Sequence, residues 1–180
     1  MAGFYSSGWP NGQGCSSCPR VLAGEHVWDF PMMDNGELSR RVGEPPPAVF
    51  CGGHTHYPFL RQVGETLIVN VGSVGLPFDG DRRGSYAQFT WQRGGWKGEI
   101  VRFEYDWDRT LKDFQESGFL SEAGPMPWLV LVEFLYAKSQ LYAWMRDYYA
   151  LVLAGEITVE KTVRKQLDEQ GLWEAVAQFL

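Results

Sequence analysis

From residue 48 to residue 106 the apolar positions come in short runs or alternate, and beyond residue 106 they recur at helical spacing. Before residue 48 they follow no period. The stretches GFYSSGWPNGQGCSSCPR, WDFPMMDNGE and EPPP are rich in Gly, Ser and Pro, so this zone reads as loop, least ordered over Met1 to Gly24. One short helix is predicted there, over Gly36 to Val42. Ala48 to Cys51 is an apolar run ending at Gly52-Gly53, as a buried strand ends before a turn. Phe59 to Val63 and Thr66 to Val71 flank Gly64-Glu65 and predict a hairpin. Gly84 to Trp91 and Gly98 to Tyr105 predict a second one, turning at Gly94-Gly95. The turn-rich segment Gly72 to Asp81 joins the two hairpins, and loops over a rigid sheet often carry sites.

The helical zone begins with Asp106, a cap for a helix running to Gly118. Pro127 is predicted to open a long helix ending at Ala154, before Gly155. On it Glu133, Gln140 and Asp147 recur every seven residues and form one polar line. Thr158 caps a further segment to about Gln170, and Leu172 to Leu180 follows Gly171. Three helices are therefore expected after one mainly antiparallel sheet. The division is 1–27 as a poorly ordered leader, 28–106 as the strand region and 107–180 as a helical tail.

Composition narrows the function. The 180 residues are 44% hydrophobic and 15% aromatic, enough apolar material for a real core. Sixteen basic against twenty-two acidic side chains give a net charge of −6, which disfavours general binding to a phosphate backbone. Three cysteines make no dense disulfide framework, and Met1 to Pro10 lacks the basic and apolar stretches of a signal peptide. A cytoplasmic protein is expected. Trp128 to Val132 is the longest apolar stretch, far short of the roughly 20 residues of a membrane span.

The candidate chemistry sits in Gly53-His54-Thr55-His56. Two histidines two apart on a strand would point to opposite faces. Behind two glycines at a strand-to-loop transition the backbone can turn and let both imidazoles converge. Imidazole nitrogen suits Zn, Mn, Fe or Ni, yet the pattern His-x-His alone serves a loop as well as a metal.

The surrounding residues change that balance. VFCGGHTHYPF, then TLIVNVGSVGLPFDGD, then GSYAQF resembles the carboxyl-terminal part of the calcineurin-like metallophosphoesterases, most of all their bacterial branch of small phosphodiesterases and YfcE-like proteins. The match is best over Val49 to Phe89, with Val71 where the family usually has Pro. The resemblance implies the second half of a four-layer α/β/β/α sandwich. It also implies two divalent metal ions (Mn, Fe, Ni or Zn) at the carboxyl ends of the strands, hydrolysing a phosphomonoester or phosphodiester. His54 matches a ligand of the second metal and His56 a ligand of the first. Gly53, Asn70, Gly72 and Ser73 match the loop that shapes the site from beneath, a role shared with any tight turn needing Asn and Gly.

The family's D-x-H, G-D-x-x-D and G-N-H motifs occur nowhere in these 180 residues. Gly80-Asp81 is followed by Arg82-Arg83, and the family's upstream His-Gly ligand has no counterpart; His26 falls past its position, beside Trp28. Two neutral histidines cannot hold two divalent cations without carboxylates. The metal site is thus expected to be at most partial and the chain inactive alone, as a truncated or frame-shifted reading of a longer gene or one half of a split protein. Arg82-Arg83 would either steer an anionic substrate or sit as solvated loop charges. Cys51 reads as a small buried hydrophobe. In an alternative of another class, Cys15, Cys18, His54 and His56 hold one structural zinc in a non-catalytic interaction module, although one intervening residue is short for that histidine pair. With half a sandwich absent, exposed apolar strand faces would favour self-association.

Overall fold

The computed structural model describes residues 32–180. Cys15, Cys18, His26 and Trp28-Asp-Phe-Pro lie outside the described residues, as does the leader. The chain is mixed α/β, with two small sheets and seven helices among the described residues.

Helix α1 spans Asn35–Val42, opened by Asp34, whose carboxylate accepts the Glu37 N–H at 2.9 Å. Strands β1 (Val49–Gly52), β2 (Phe59–Val63) and β3 (Thr66–Asn70) form one sheet in the order β1-β3-β2. β3 pairs in parallel with β1 and antiparallel with β2, and all five of its residues are buried. A central strand covered on both faces reads as an unbroken apolar run, which is the pattern of Leu67-Ile68-Val69. Leu38 of α1 closes one side of this sheet against Val63 and Ile68.

Strands β4 (Gly84–Gln92) and β5 (Gly95–Phe103) form a second, two-stranded antiparallel sheet. Their turn is Arg93-Gly94, both at positive φ, so β5 starts at Gly95 and not at the expected Gly98. A two-residue turn with both dihedrals positive matches the natural twist of a hairpin, and Arg93 accepts the left-handed conformation to obtain it. The expected single sheet is therefore two. Leu60, Tyr86 and Trp91 are the exposed large hydrophobic residues of the strands.

Six helices follow in place of the expected three: α2 (Trp107–Glu116), α3 (Phe119–Glu122), α4 (Met126–Tyr136), α5 (Leu141–Leu153), α6 (Val159–Glu169) and α7 (Trp173–Ala177). Asp106 and Thr158 cap α2 and α6 as their positions predicted, accepting the Arg109 and Lys161 N–H groups. The long helix from Pro127 is broken. Ala137 turns left-handed at φ 51°, and α5 begins four residues later. One Glu133 carboxylate oxygen accepts the backbone N–H groups of Gln140 (2.7 Å) and Leu141 (2.8 Å) and the Ser139 hydroxyl. The seven-residue spacing of Glu133 and Gln140 thus marks a capping contact across a turn. Orphan N–H groups at the start of α5 and their positive dipole end give a buried carboxylate a partner, so the chain can break here with no unpaired donor.

Around that joint, Leu129, Leu131, Val132, Val163, Leu167 and Val176 are fully buried in one apolar cluster. Among the described residues no helix is long and apolar enough to cross a membrane.

Candidate metal centre

Two loops build the site: residues 53–58 after β1 and residues 71–83 after β3. Parallel pairing puts Gly52 opposite Asn70, so both loops leave the sheet at the same end. In the first loop His54 (φ 73°) and His56 (φ 59°) are left-handed. A side-chain-bearing residue there costs on the order of 1–2 kcal/mol, and such strain persists only where neighbours hold it.

The neighbour is Asn70, itself buried. Its amide N–H₂ donates to the Gly53 carbonyl (3.1 Å) and the Thr55 hydroxyl (2.8 Å), while its carbonyl accepts the Gly72 N–H at 3.0 Å. One side chain thereby ties both loops together. Thr55, fully buried between the two histidines, is the anchor that the pattern His-x-His concealed. No local pattern in the sequence marked it.

The second loop is closed from beneath. Ser85 donates its hydroxyl to the Val71 carbonyl at 2.7 Å, and the Ser73 hydroxyl accepts the Leu76 N–H at 3.0 Å. Gly72 sits at φ 76°, and a Cβ there would lie 2.5 Å from the Ser85 oxygen, so only glycine fits without displacing that hydroxyl.

His56 is oriented by the same loop. Its Nδ1 lies 2.7 Å from the Leu76 carbonyl, and its ring stands 4.5 Å from that of Phe78. A carbonyl can only accept, so Nδ1 carries the proton and the Nε2 lone pair is left for a ligand. Burial holds the His56 pKa below the ordinary histidine value, against the Leu76 hydrogen bond and with help from the nearby His54. A neutral ring with one nitrogen fixed by a backbone carbonyl is the state in which histidine binds a cation. His54 is exposed beside it.

The charged residues of the second loop are held by protein groups within it and beyond it. Arg102 of β5 bonds Asp79, and Arg83 bonds Asp81 at 2.7 Å, holding that carboxyl down at about 2. The Arg82 guanidinium lies 4.8 Å from the centre of the Trp107 ring, and Gly80 donates to the Ala137 carbonyl at 2.9 Å. Both arginines proposed for steering are thus engaged by protein groups, and the loop rests on α2 and the end of α4. Cys51, half-buried on β1, lies beneath the first loop.

Residues 25–94 match the family model for the calcineurin-like phosphoesterase superfamily domain. That segment is similar to this family. It holds both histidines, Asn70 and the whole second loop, and it stops at the β4–β5 turn, before any residue of α2 to α7. A search of the curated proteins found no match.

Phosphoesterases of this family generally use divalent metals, so the donor set can be tested against that need. His56 fits as one nitrogen ligand and His54 stands next to it. Among the described residues, however, no group of three or more His, Cys, Asp or Glu side chains comes together. Two neutral nitrogens do not balance two divalent charges. Among the described residues, His54 and His56 therefore do not by themselves meet that need.

Proposed function

We propose that residues 28–106 are the carboxyl-terminal half of a metal-dependent phosphoesterase domain of the bacterial small-phosphodiesterase branch, working in the cytoplasm on a phosphomonoester or phosphodiester. In this reading His54 and His56 each give a ring nitrogen to a divalent cation (Mn, Fe, Ni or Zn), and residues 107–180 are a helical appendage. The observation that carries it is the Asn70 bridge, which ties the first loop with its two left-handed histidines to the second loop, whose Leu76 carbonyl fixes His56.

Each residue then has a stated task. The Leu76 carbonyl keeps the His56 proton on Nδ1, so Nε2 enters the site without a proton to lose. Asn70 sets the separation of the two loops. Gly53 supplies the carbonyl that Asn70 holds. Gly72 and Ser73 shape the floor beneath the imidazoles. When bound, the cations would neutralise charge developing on the phosphoryl oxygens, and the carboxylates they require come from outside residues 28–106.

The test has two readings. Nickel titration of the 180-residue protein should shift the imidazole NMR signals of His54 and His56, and His56→Ala should abolish the shift at His54 as well. Hydrolysis of bis-p-nitrophenyl phosphate with Mn, Ni or Zn should stay at background. Adding a segment with D-x-H, G-D-x-x-D and G-N-H motifs should create turnover that His54→Ala or His56→Ala removes. Unmoved imidazole signals would overturn the ligand assignment. Robust metal-dependent turnover by the 180 residues alone, lost in His56→Ala, would overturn the claim that the carboxylates come from elsewhere.

A further inference from the structure

The second loop does not rest on the strands alone. Its first part, Gly72 and Ser73, is closed by Asn70 and Ser85 of the strand region. Its far part touches the helices: the Gly80 N–H donates to the Ala137 carbonyl at 2.9 Å, and the Arg82 guanidinium lies over the Trp107 ring. Between these two parts stand the groups that hold His56. The Leu76 carbonyl accepts from Nδ1, the Phe78 N–H donates to the His56 carbonyl at 3.2 Å, and the Phe78 ring packs on the imidazole. Arg102 of β5 holds Asp79 as well, so the loop is gripped from both regions.

The helix contacts belong to a built platform. Trp107 of α2 stacks on Phe134 of α4, with ring centres 5.2 Å apart and planes 8° from parallel, and Phe114 packs on Phe134 as well. Phe134 and Ala137 are buried, yet neither belongs to the apolar cluster of the helices. Ala137 is the left-handed residue that ends α4. Its carbonyl is one of the orphan acceptors of a helix end, and the loop supplies the donor. Trp107 buries its indole N–H with no acceptor among the described residues, a cost that a phenyl ring would avoid. The face of the ring is what the position uses, since indole attracts a cation more strongly than the other aromatic side chains.

We propose that Trp107, Phe134 and Ala137 are positioning residues for His56: α2 and α4 hold residues 80–82 and thereby set Leu76 and Phe78 against the imidazole. A loop held only at its Gly72 end would keep the conformational freedom of its far part, and the Leu76 carbonyl would share it. The helical region is then a support of the site, although it lies beyond the segment similar to the phosphoesterases. What the oriented ring serves rests on the phosphoesterase reading; its orientation from the helices does not.

Long-range nitrogen–proton NMR of the metal-free 180-residue protein, at a pH where the ring is neutral, reads the His56 tautomer. The wild type should show the Nδ1–H form. Trp107→Ala should raise the minor Nε2–H form ~10-fold, the effect of one lost contact on a two-state ratio. Trp107→Phe keeps a ring on Phe134 and under Arg82 and should restore the wild-type ratio. Leu131→Ala, which opens the apolar cluster on the same α4, should lower stability and leave the ratio unchanged, so general loosening does not imitate the effect. If Trp107→Ala does not fold, Arg82→Ala, at an exposed position, is read in its place. An unchanged ratio in the folded variant would overturn the proposal. So would a change in Leu131→Ala as large as in Trp107→Ala, or a wild-type ring that already mixes the two tautomers. Nickel titration of the same sample is a separate arm: imidazole signals that do not move with nickel count against the phosphoesterase reading and leave the tautomer result standing.

Discussion

In the strand region the buried apolar cluster is Leu38, Val63 and Ile68; in the helical region eight buried side chains, with Leu129, Leu131 and Val132 at their centre, make one cluster. The strand region compensates with polar bridges. Asn70, Thr55, Ser85 and Thr66 are buried there, and each hydrogen-bonds backbone or another side chain across a loop. Apolar packing tolerates small shifts, since it has no preferred direction. Hydrogen bonds fix distance and angle, so the region that must hold His56 in one orientation is the one built from them. The family match takes in α1 and β1 to β4 and no residue of α2 to α7.

The largest effect should come from the apolar side. Leu131→Ala empties a fully buried position and should lower stability by about 2–5 kcal/mol in urea unfolding. The NMR signals of His54 and His56 should keep their positions in the folded variant. A loss below about 1 kcal/mol would show that the helical region does not depend on its apolar cluster.

Asn70→Ala attacks the polar side. It strands the Gly72 N–H and removes two bonds to the first loop, at a cost of about 1–3 kcal/mol. Here the order of effects should reverse between readouts: the loss of stability is the smaller of the two variants, and the imidazole signals of His54 and His56 should broaden or move. Unchanged imidazole signals would mean that the loops hold their form without the bridge.

The smallest effect concerns pH and the joint between α4 and α5. Burial raises the Glu133 pKa above the ordinary glutamate value, opposed by the Leu141 and Gln140 N–H groups and the Ser139 hydroxyl. Between those two values the folded protein binds more protons than the unfolded chain. Its contribution to stability is therefore complete below about pH 4 and is lost as pH rises through the folded value. Glu133→Gln cannot ionise and keeps the oxygen that caps α5. Thermal melts from pH 4 to pH 8 should show the difference between variant and wild type moving in favour of the variant as pH rises. Parallel curves would mean that Glu133 titrates normally.

Period and turn chemistry made the strands legible. Gly64-Glu65 marked the first hairpin, and the alternation of β4 and β5 marked the second, because the side-chain period of two is a local property. The turn of that second hairpin was misplaced by one residue, since nothing local says that Arg93 will accept a positive φ. Asp106 and Thr158 were legible as caps for the same reason that they work: their oxygens serve N–H groups three residues away. The joint at Ala137 was not legible. Glu133, Gln140 and Asp147 have helical spacing whether the helix continues or breaks, and only the burial of the Glu133 carboxylate over the start of α5 decides for the break.

The sequence by itself determined where two ring nitrogens could be brought near each other, because two histidines separated by one residue behind two glycines are a property of the chain order. It also determined the period of each element and therefore which face would be buried. Tertiary structure decided what those residues are ready to do. His56 receives its tautomer from the Leu76 carbonyl, twenty residues on, and Arg82 and Arg83 are taken up by Trp107 and Asp81. Local pattern encodes which side chains face inward, but a hydrogen bond between distant loops depends on where the sheet brings their ends. The parallel pairing of β1 with β3 fixes that meeting point.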